Sequence, residues 1–299
     1  MELILVASEN FFNESQMNIL KKHFSSISFV NENNIKGFNY NSNLNENKTL
    51  LLDPDYFDWE FPNEILANIN NLNYVCLTTT TASYVDEEYL KNNGIKLITI
   101  PKYSTDSVAE YLIFLMFCVA KKLPLQLKNN NAQDFSDRYL QMEISNKKVG
   151  VVGLGNIGNR ICEICKDIAR GGVLYWNRTP KNVEFEYVSL ESIFKDCDIV
   201  FITLANNAET RGLITDDLIN LLKPNAILIS NTGIALHNDN LVRDKIRNGQ
   251  LYGFGAEIPN ACFKDYDGNI MVTSEYAWFT KEATQRRMEI LINNLLDIK

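Results

Sequence analysis

The sequence predicts an α/β protein with two parallel-sheet domains. Short apolar runs alternate with amphipathic runs along most of the chain, which is typical of β-α-β units. A glycine-rich turn at residues 153–158 lies between an apolar run and an amphipathic run. At 299 residues the chain is long enough for two domains, each with a core of its own.

The first hundred residues predict strands and helices in alternation. Apolar runs indicate the strands, and the amphipathic runs between them indicate the helices. The strands are predicted at residues 3–7, 27–30, 49–52, 74–78 and 95–100, and the helices at 14–23, 63–68 and 86–92. The asparagine-rich residues 31–48 predict a polar connection at the surface.

A long helix is predicted at residues 105–122, with Ser104 or Thr105 as its N-cap and Pro124 just beyond its end. Apolar side chains cover nearly every face of this helix. A helix of this kind is buried, either in a core or against another subunit. The helix is therefore a candidate element of a homodimer.

A second series of strands and helices is predicted from residue 147 onward. Its strands are predicted at residues 148–152, 173–176, 198–204, 226–231, 251–257 and 270–273. Helices lie between most of these strands, including one at residues 241–248. The final charged, amphipathic stretch, residues 281–298, predicts a helix that could return to the first domain.

The glycine turn has the spacing of a dinucleotide-binding site. Gly153 permits a tight turn, Gly155 lets the backbone approach a pyrophosphate, and Gly158 lets the helix pack close to the strand. Asn156 and Ile157 open the helix, whose N-terminus faces the phosphates. The spacing alone is weak evidence, but a glycine turn of this spacing between a strand and a helix predicts a dinucleotide-binding site. The alternative is a glycine-rich turn without a ligand.

The residues after the next strand bear on which nicotinamide cofactor binds. An NAD site usually has an acidic side chain here for the ribose 2′-hydroxyl. This chain has Asn177, followed by Arg178 and Thr179. Because no carboxylate would repel a phosphate and an arginine is adjacent, we predict NADP. The alternative is NAD, with Arg178 stacked on its adenine.

Composition and charge exclude several classes of partner. The net charge of -8 argues against a nucleic acid or an anionic membrane as the partner. The longest apolar run, residues 111–120, is about half a membrane span. The first residues begin directly as a strand, without the basic and apolar regions of a secretory signal, so we expect a cytoplasmic protein.

The six cysteines predict buried, reduced thiols, since most of them lie in apolar runs. Cys162 and Cys165 have a C-x-x-C spacing that could indicate redox or metal chemistry. They lie inside a predicted helix, however, and no second cysteine pair or histidine cluster completes a site. We therefore expect these two thiols to pack in the core, and we expect no metal.

Four further segments, together with the glycine turn, resemble the D-isomer-specific 2-hydroxyacid dehydrogenases. They read TDSVAE at residues 105–110, ETRGLI at 209–214, LKPNA at 222–226 and AWFTKEA at 277–283. The resemblance implies a flavodoxin-like substrate domain, residues 1–101 and 275–299, with an inserted Rossmann domain, residues 102–274. It also implies hydride transfer between a nicotinamide cofactor and a small 2-hydroxy or 2-oxo acid.

The resemblance also implies further cofactor-binding residues. Thr203 and Leu204 lie at the end of one predicted strand, and Thr232 and Gly233 follow another. Glu257 takes the position of the family aspartate that contacts the nicotinamide carboxamide.

The three catalytic side chains of the family have no counterparts here. The family uses an arginine for the substrate carboxylate, a histidine that exchanges the hydroxyl proton, and a glutamate that raises the pKa of that histidine. The arginine position is Ile234, and no arginine lies between Arg211 and Arg243. The histidine position is Glu275, and no histidine follows His237. The acid–proline pair that marks the glutamate is missing as well.

Other residues are candidates for the missing roles. A protonated Glu275 could serve as the acid, the alternative being a glutamate at the rim of an unused site. Lys102 and Tyr103 are alternative donors, or else ordinary residues of the crossover between domains. Thr79 and Thr80 occupy the family loop whose backbone amides meet the substrate carboxylate, so some anion affinity would persist.

His237 is a candidate for a relocated acid, although an isolated histidine in a loop is usually just exposed. Three functional hypotheses follow. The first is an NADP-linked oxidoreductase with an altered catalytic set, acting on a small carbonyl or hydroxy substrate. The second, favoured by the missing arginine and histidine, is a dinucleotide-binding regulator or scaffold without the chemistry. A third is a cofactor-retaining transformation without net redox.

Overall fold

The structure, a computed structural model, describes residues 1–57, 59–130 and 132–298. The chain divides into two compact units. Unit 1 comprises Met1–Tyr103 and the residues from Lys281 onward, and unit 2 comprises Ser104–Thr280. Each unit contains a parallel β-sheet, which confirms the predicted α/β class with two parallel-sheet domains.

The described residues form the following strands: β1 (Glu2–Val6), β2 (Ser26–Phe29), β3 (Lys48–Leu52), β4 (Leu72–Leu77), β5 (Lys96–Ile98), β6 (Val149–Val152), β7 (Val173–Trp176), β8 (Glu186–Tyr187), β9 (Ile199–Ile202), β10 (Ile227–Ser230), β11 (Gly253–Glu257) and β12 (Ile270–Thr273). Short 3₁₀ turns lie at Glu32–Asn34, Pro54–Tyr56, Asp137–Tyr139 and Phe263–Asp265.

The described residues form the following α-helices: α1 (Glu14–His23), α2 (Asn63–Asn68), α3 (Glu87–Asn92), α4 (Thr105–Ala120), α5 (Leu123–Lys128), α6 (Asn156–Ile168), α7 (Leu190–Asp196), α8 (Asp216–Leu221), α9 (Asp239–Arg247) and α10 (Lys281–Leu296). Among these residues, none of the helices combines the length and the apolar character needed to cross a membrane.

The sheet of unit 1 has the order β2-β1-β3-β4-β5, and its strands pair in parallel. This order is the flavodoxin-like one. The central strands β1 and β3 are buried along their whole length. Helix α10 completes the unit, because it packs against α1 and the Asn294 side chain donates to the Thr99 carbonyl at 3.1 Å.

Lys48 is a buried cation at the start of β3. Its side chain is fully buried, and its ammonium donates to the carbonyl oxygens of Asn43 at 2.8 Å and Asn70 at 2.9 Å. A longer contact of 3.4 Å reaches the carbonyl of Glu46. Lys48 therefore ties the asparagine-rich connection to the sheet, since carbonyl groups satisfy its hydrogen-bond donors.

The sheet of unit 2 has the order β12-β11-β10-β9-β6-β7-β8. Strand β6 pairs with β7 on one side and with β9 on the other. The strand order reverses between these neighbours, so the carboxyl end of β6 lies at the topological switch point where open α/β sheets bind ligands. The glycine turn comes directly after β6.

Helix α4 differs from its prediction in two ways. It ends at Ala120, Lys122 adopts a left-handed φ of 50°, and the separate helix α5 follows. Pro124 lies just beyond α4, as predicted, but it is in the first turn of α5, where a proline tolerates the missing N–H. The burial is also incomplete, because Phe114 and Phe117 stay 49% and 37% exposed.

The boundaries between the units lie a few residues beyond the predicted ones. Residues 275–280 belong to unit 2 because Ala277 is buried in its core. The backbone N–H of Ala277 donates to the Glu257 carboxylate at 2.6 Å, and the Ser107 hydroxyl donates to the Ala277 carbonyl. Residues 102 and 103 belong to unit 1, where the Arg286 guanidinium donates to the Tyr103 carbonyl at 2.9 Å.

Candidate functional site

The glycine turn of unit 2 is shaped by three glycines with different tasks. Gly153 adopts a φ of +100°, which a side chain would strain. A Cβ on Gly158 would lie 2.2 Å from the Gly153 carbonyl oxygen, so only glycine lets the helix approach the turn. A Cβ on Gly155 would have nothing within 4 Å. Gly155 therefore borders open space that a side chain would partly fill.

The N-terminus of α6 is open toward that space. Its N-cap, Gly155, offers no side-chain acceptor, and the first turn carries no acidic side chain. Gly155 and Asn156 are exposed, and Ile157 is half-buried. The first N–H groups of a helix need acceptors, and the helix dipole favours a negative charge beside them. This end of α6 therefore fits the pyrophosphate of a dinucleotide.

Two neighbouring strands hold the turn in place. The Thr203 hydroxyl donates to the Gly153 carbonyl at 2.6 Å, and the Asn177 side-chain oxygen accepts from the Leu154 N–H at 3.2 Å. The Leu204 side chain lies 2.9 Å from the point that a Cβ on Gly153 would occupy. Thr203, Leu204 and Asn177, all predicted for the cofactor site, are thus brought together around the turn.

Arg178 and Thr179 follow Asn177 at the end of β7. The Asn177 amide donates to the Thr179 carbonyl at 3.1 Å, which closes a local turn. The Arg178 guanidinium forms an ion pair of 2.5 Å with the Glu209 carboxylate. Glu209 comes from the loop after β9, and sequence reasoning missed it as a site residue. Its segment, residues 209–214, is recognisable in the sequence. Its proximity to Arg178, however, depends on which strands become neighbours in the sheet.

Thr232, Gly233 and Glu257 lie at the carboxyl ends of β10 and β11. Gly233 has a φ of +56°, and a Cβ there would lie 2.7 Å from the Glu257 carbonyl oxygen. The buried Thr232 hydroxyl has no hydrogen-bond partner among the described residues. The three predicted residues therefore lie together at one edge of the sheet.

Glu257 is the buried carboxyl group of this edge. Burial raises its pKa from 4.5 to about 7, and the nearby charge of Glu275 adds to the effect. The backbone N–H groups of Tyr276 and Ala277 favour the ionised form and limit the rise in pKa. Glu257 therefore holds a proton for part of the time near neutral pH.

Glu275 lacks the burial on which its predicted role as an acid depended. Its role rested on protonation through burial, but the side chain of Glu275 is exposed. The reason is local: Ala277 is the anchored residue of the segment, and the chain turns outward before it. Ile234, at the family's arginine position, is also exposed.

His237 is not the exposed loop histidine that the sequence led us to expect. Both ring nitrogens are buried without a hydrogen-bond partner among the described residues, and the ring packs edge-on against Phe254 at 5.3 Å. Burial lowers the pKa of His237 to about 4. The imidazole is therefore neutral near pH 7 and holds no proton to donate as an imidazolium.

The predicted substrate residues lie in unit 1. The Thr79 hydroxyl is within 2.7 Å of the Tyr84 hydroxyl, and the Thr80 hydroxyl donates to the Ile100 carbonyl at 2.7 Å. Both side chains thus stabilise their own loop. Tyr103 is buried rather than at the surface, and Lys102 is exposed with a left-handed φ of 62°.

The cysteine pair of α6 has the properties of packed thiols. Cys162 and Cys165 are both fully buried in the core beneath the helix. Burial raises the pKa of Cys165 to about 12 and that of Cys162 further still. Both sulfurs therefore stay protonated and unreactive. Within residues 1–57, 59–130 and 132–298, no group of three or more histidine, cysteine or acidic side chains could hold a metal ion.

We expect the Glu257→Gln variant to remove a pH dependence of stability. The pKa of Glu257 is higher in the folded protein than in the unfolded chain, so its protonation stabilises the fold at low pH. That contribution is lost as the pH rises from about 4.5 to about 7. Urea unfolding at several pH values measures this slope for the parent and the variant.

The matched control for this pH series is Glu191→Gln, because Glu191 is an exposed carboxyl group of the same unit. The parent and the control should lose stability over this pH interval more steeply than Glu257→Gln. Equal slopes for all three proteins would contradict the assignment.

Comparisons with known proteins match the segment that contains the glycine turn. The description "D-isomer specific 2-hydroxyacid dehydrogenase, NAD binding domain" belongs to a family model that matches residues 113–258. A hydroxypyruvate reductase of Blautia hydrogenotrophica is 24% identical over 251 residues, which cover 78% of this chain and 78% of that protein.

Two solved structures share the fold. An acyclic imino acid reductase in complex with NADPH and D-Arg has a TM-score of 0.80 at 24% identity, over 98% of this chain and 95% of that one. A glyoxylate reductase from Paecilomyes thermophila has a TM-score of 0.83 at 17% identity, over 99% of this chain and 94% of that one. Residues 113–258, which include the glycine turn, therefore match the NAD-binding domain of the D-isomer specific 2-hydroxyacid dehydrogenases, and the parallel sheets agree with that match.

Proposed function

We propose that this protein is an NADP-linked oxidoreductase that acts on a small substrate with a catalytic set different from that of its family. The observation that carries the proposal is the open turn at Gly155, which fits a pyrophosphate, in a chain without the family's arginine and histidine. When bound, the nicotinamide supplies or accepts the hydride. The residues of this chain bind, orient and supply any proton that the reaction needs.

Each part of the cofactor has residues that suit it. The N-terminus of α6 suits the pyrophosphate, and Arg178 suits a 2′-phosphate. Glu257, with Thr232 and Gly233 beside it, suits the nicotinamide carboxamide, whose amide can donate to a carboxylate. Thr79 and Thr80 are proposed to meet an anionic group of the substrate through backbone amides.

For a carbonyl substrate, hydride transfer to the carbon leaves a negative charge on the oxygen, which must receive a proton. Glu275, at the predicted histidine position, is the side chain we propose to test as the source of that proton, although it lacks the burial on which its prediction depended. A substrate that brings its own proton needs no such acid.

A protonated imine is such a substrate, and one comparison favours it. Hydride transfer to the carbon of a protonated C=N bond gives a neutral amine directly, so no enzyme acid is needed. The absence of the histidine would then not lower the rate of reduction. The solved structure of an acyclic imino acid reductase, which shares the fold over nearly the whole chain, supports this second candidate.

Reduction of a 2-oxo acid with and without an amine separates the two candidates. We expect NADPH oxidation with pyruvate to rise at least about tenfold when ammonium or methylamine is added, because the imine forms in solution and needs no acid. In the same assay Glu275→Gln should lower the carbonyl rate by 10²–10⁴-fold, the usual contribution of a general acid, and leave the amine-dependent rate nearly unchanged.

The outcomes of this assay assign the function. Equal rates with and without amine, with no effect of Glu275→Gln, would contradict both roles. Clear dinucleotide binding without turnover on any 2-oxo acid or imine would instead support the non-enzymatic alternative, a dinucleotide-binding regulator or scaffold.

We also propose that the protein is a homodimer. The exposed aromatic side chains of Phe114 and Phe117 on α4 support this proposal, since large apolar side chains at a surface favour association. Light scattering of the purified protein measures the oligomeric state directly.

A further inference from the structure

We propose that Glu209 sets the choice between NAD and NADP by competing with the 2′-phosphate for Arg178. This inference rests on the dinucleotide site of the proposed function, and it adds a residue and a selectivity to that site. The dipeptide after β7 favours NADP when it is considered alone. Its partner in the fold changes that expectation.

The pair is formed by two separate loops of unit 2. Arg178 follows β7, and Glu209 lies in the loop between β9 and α8. The Arg178 Nη1 atom lies 2.5 Å from the Glu209 Oε2 atom, and the two side chains are 76% and 68% exposed. Because both are exposed, an incoming ligand can reach either of them.

The loop that carries Glu209 is organised by its own hydrogen bonds. The Asn207 side-chain oxygen accepts from the backbone N–H groups of Glu209 at 3.0 Å and Thr210 at 3.2 Å. The Thr210 hydroxyl donates to the Ala205 carbonyl at 2.5 Å. The backbone position of Glu209 is therefore held without help from Arg178, and Glu209 stays near the site when the ion pair opens.

A carboxylate in this place has two opposite effects on the cofactors. It occupies the guanidinium group that would bind a 2′-phosphate, and it repels the negative charge of that phosphate. It also offers an acceptor for the hydroxyl groups of an unphosphorylated ribose, the task of the acid that NAD sites have after this strand. Glu209 thus supplies from a distant loop the carboxylate that Asn177 lacks.

The ion pair is weak enough for a ligand to break it. Exposed pairs contribute little to stability because water and salt screen them. A 2′-phosphate can therefore displace Glu209 from Arg178, whereas NAD leaves the pair closed. We infer that the charge on Glu209 weakens the preference for NADP that Arg178 alone would give.

Equilibrium binding of the two cofactors tests this inference without any turnover. In calorimetric titrations we expect Glu209→Gln to tighten NADP binding by about tenfold relative to NAD, as loss of a repulsive charge beside a phosphate implies. Arg178→Gln should weaken NADP binding by a similar factor. In the double variant the gain from the glutamine at position 209 should be smaller, because competition for the guanidinium is gone and only the repulsion of the phosphate is relieved.

The matched control is Glu184→Gln. Glu184 forms an exposed ion pair with Lys166 in the same unit, with an equal distance of 2.5 Å. Its loss should leave the NADP-to-NAD ratio within about twofold of the parent, as expected for an exposed charge outside the site. An unchanged ratio in Glu209→Gln would overturn the inference while leaving the dinucleotide site intact. Failure of the parent to bind either cofactor would instead reject the proposed function.

Discussion

Replacing Gly155 with alanine is expected to abolish dinucleotide binding while leaving the fold intact. Gly155 has an ordinary φ of -79°, and a Cβ there would meet no protein atom within 4 Å. The new methyl group therefore strains nothing in the free protein. It would occupy the space into which a pyrophosphate must come to reach the N–H groups of α6. We expect affinity for either cofactor to fall by at least about a hundredfold, since a clash replaces charge-assisted hydrogen bonds.

Calorimetric titration measures this loss of affinity, and thermal unfolding without a ligand measures the fold. Loss of the N-cap preference for glycine should cost about 1 kcal/mol or less. The informative comparison is Gly158→Ala, whose Cβ would lie 2.2 Å from the Gly153 carbonyl oxygen. That variant should lower the melting temperature as well as the affinity. Unchanged binding in Gly155→Ala would show that the turn holds no pyrophosphate.

Replacing Lys48 with methionine is expected to destabilise unit 1 by about 2–4 kcal/mol. The stem of methionine fills most of the buried space, but it leaves the carbonyl groups of Asn43 and Asn70 without their donor. A hydrogen bond to a charged group contributes about 1.5–3 kcal/mol, so the loss of these bonds lowers the stability of the unit. The asparagine-rich connection would also lose its attachment to the central strand β3.

Hydrogen exchange measured by mass spectrometry detects this loss within unit 1. Backbone amides of β1 and β3 should exchange at least about thirtyfold faster, because opening of the unit becomes easier by that free energy. The amides of unit 2 should be unaffected. Lys96→Met on β5 is the matched control, since Lys96 is an exposed strand lysine. Equal exchange in both variants would contradict a structural role for Lys48.

Segments with a clear apolar pattern were predictable from the sequence, and segments without one were not. Helix α1 begins and ends at the predicted residues because Asn13 and Gln16 form a capping box at its start. Strand β8 was missed because it is two residues long and exposed, with no apolar pattern. Helix α5 was missed because Pro124 is compatible with either a helix start or a helix end.

The residues of the candidate site also differ in whether the sequence alone could predict them. The glycine turn and Asn177 could be assigned because their task depends on backbone spacing along one strand and one helix. The Thr203 bond to Gly153 and the pairing of Arg178 with Glu209 depend on which strands become neighbours. The burial of His237 and Glu257 depends on packing from distant segments, so their pKa values had no signature in the local sequence.

The bond between Ser107 and Ala277 brings the two ends of unit 2 together, and this has a consequence for the order of folding. Everything that builds the glycine turn lies between these ends, so unit 2 is complete once residue 280 has left the ribosome. Unit 1 needs α10 to pack against α1, and α10 follows unit 2 along the chain. Unit 2, which carries the glycine turn, is therefore continuous in sequence, whereas unit 1 can close only after the residues of unit 2 have been made.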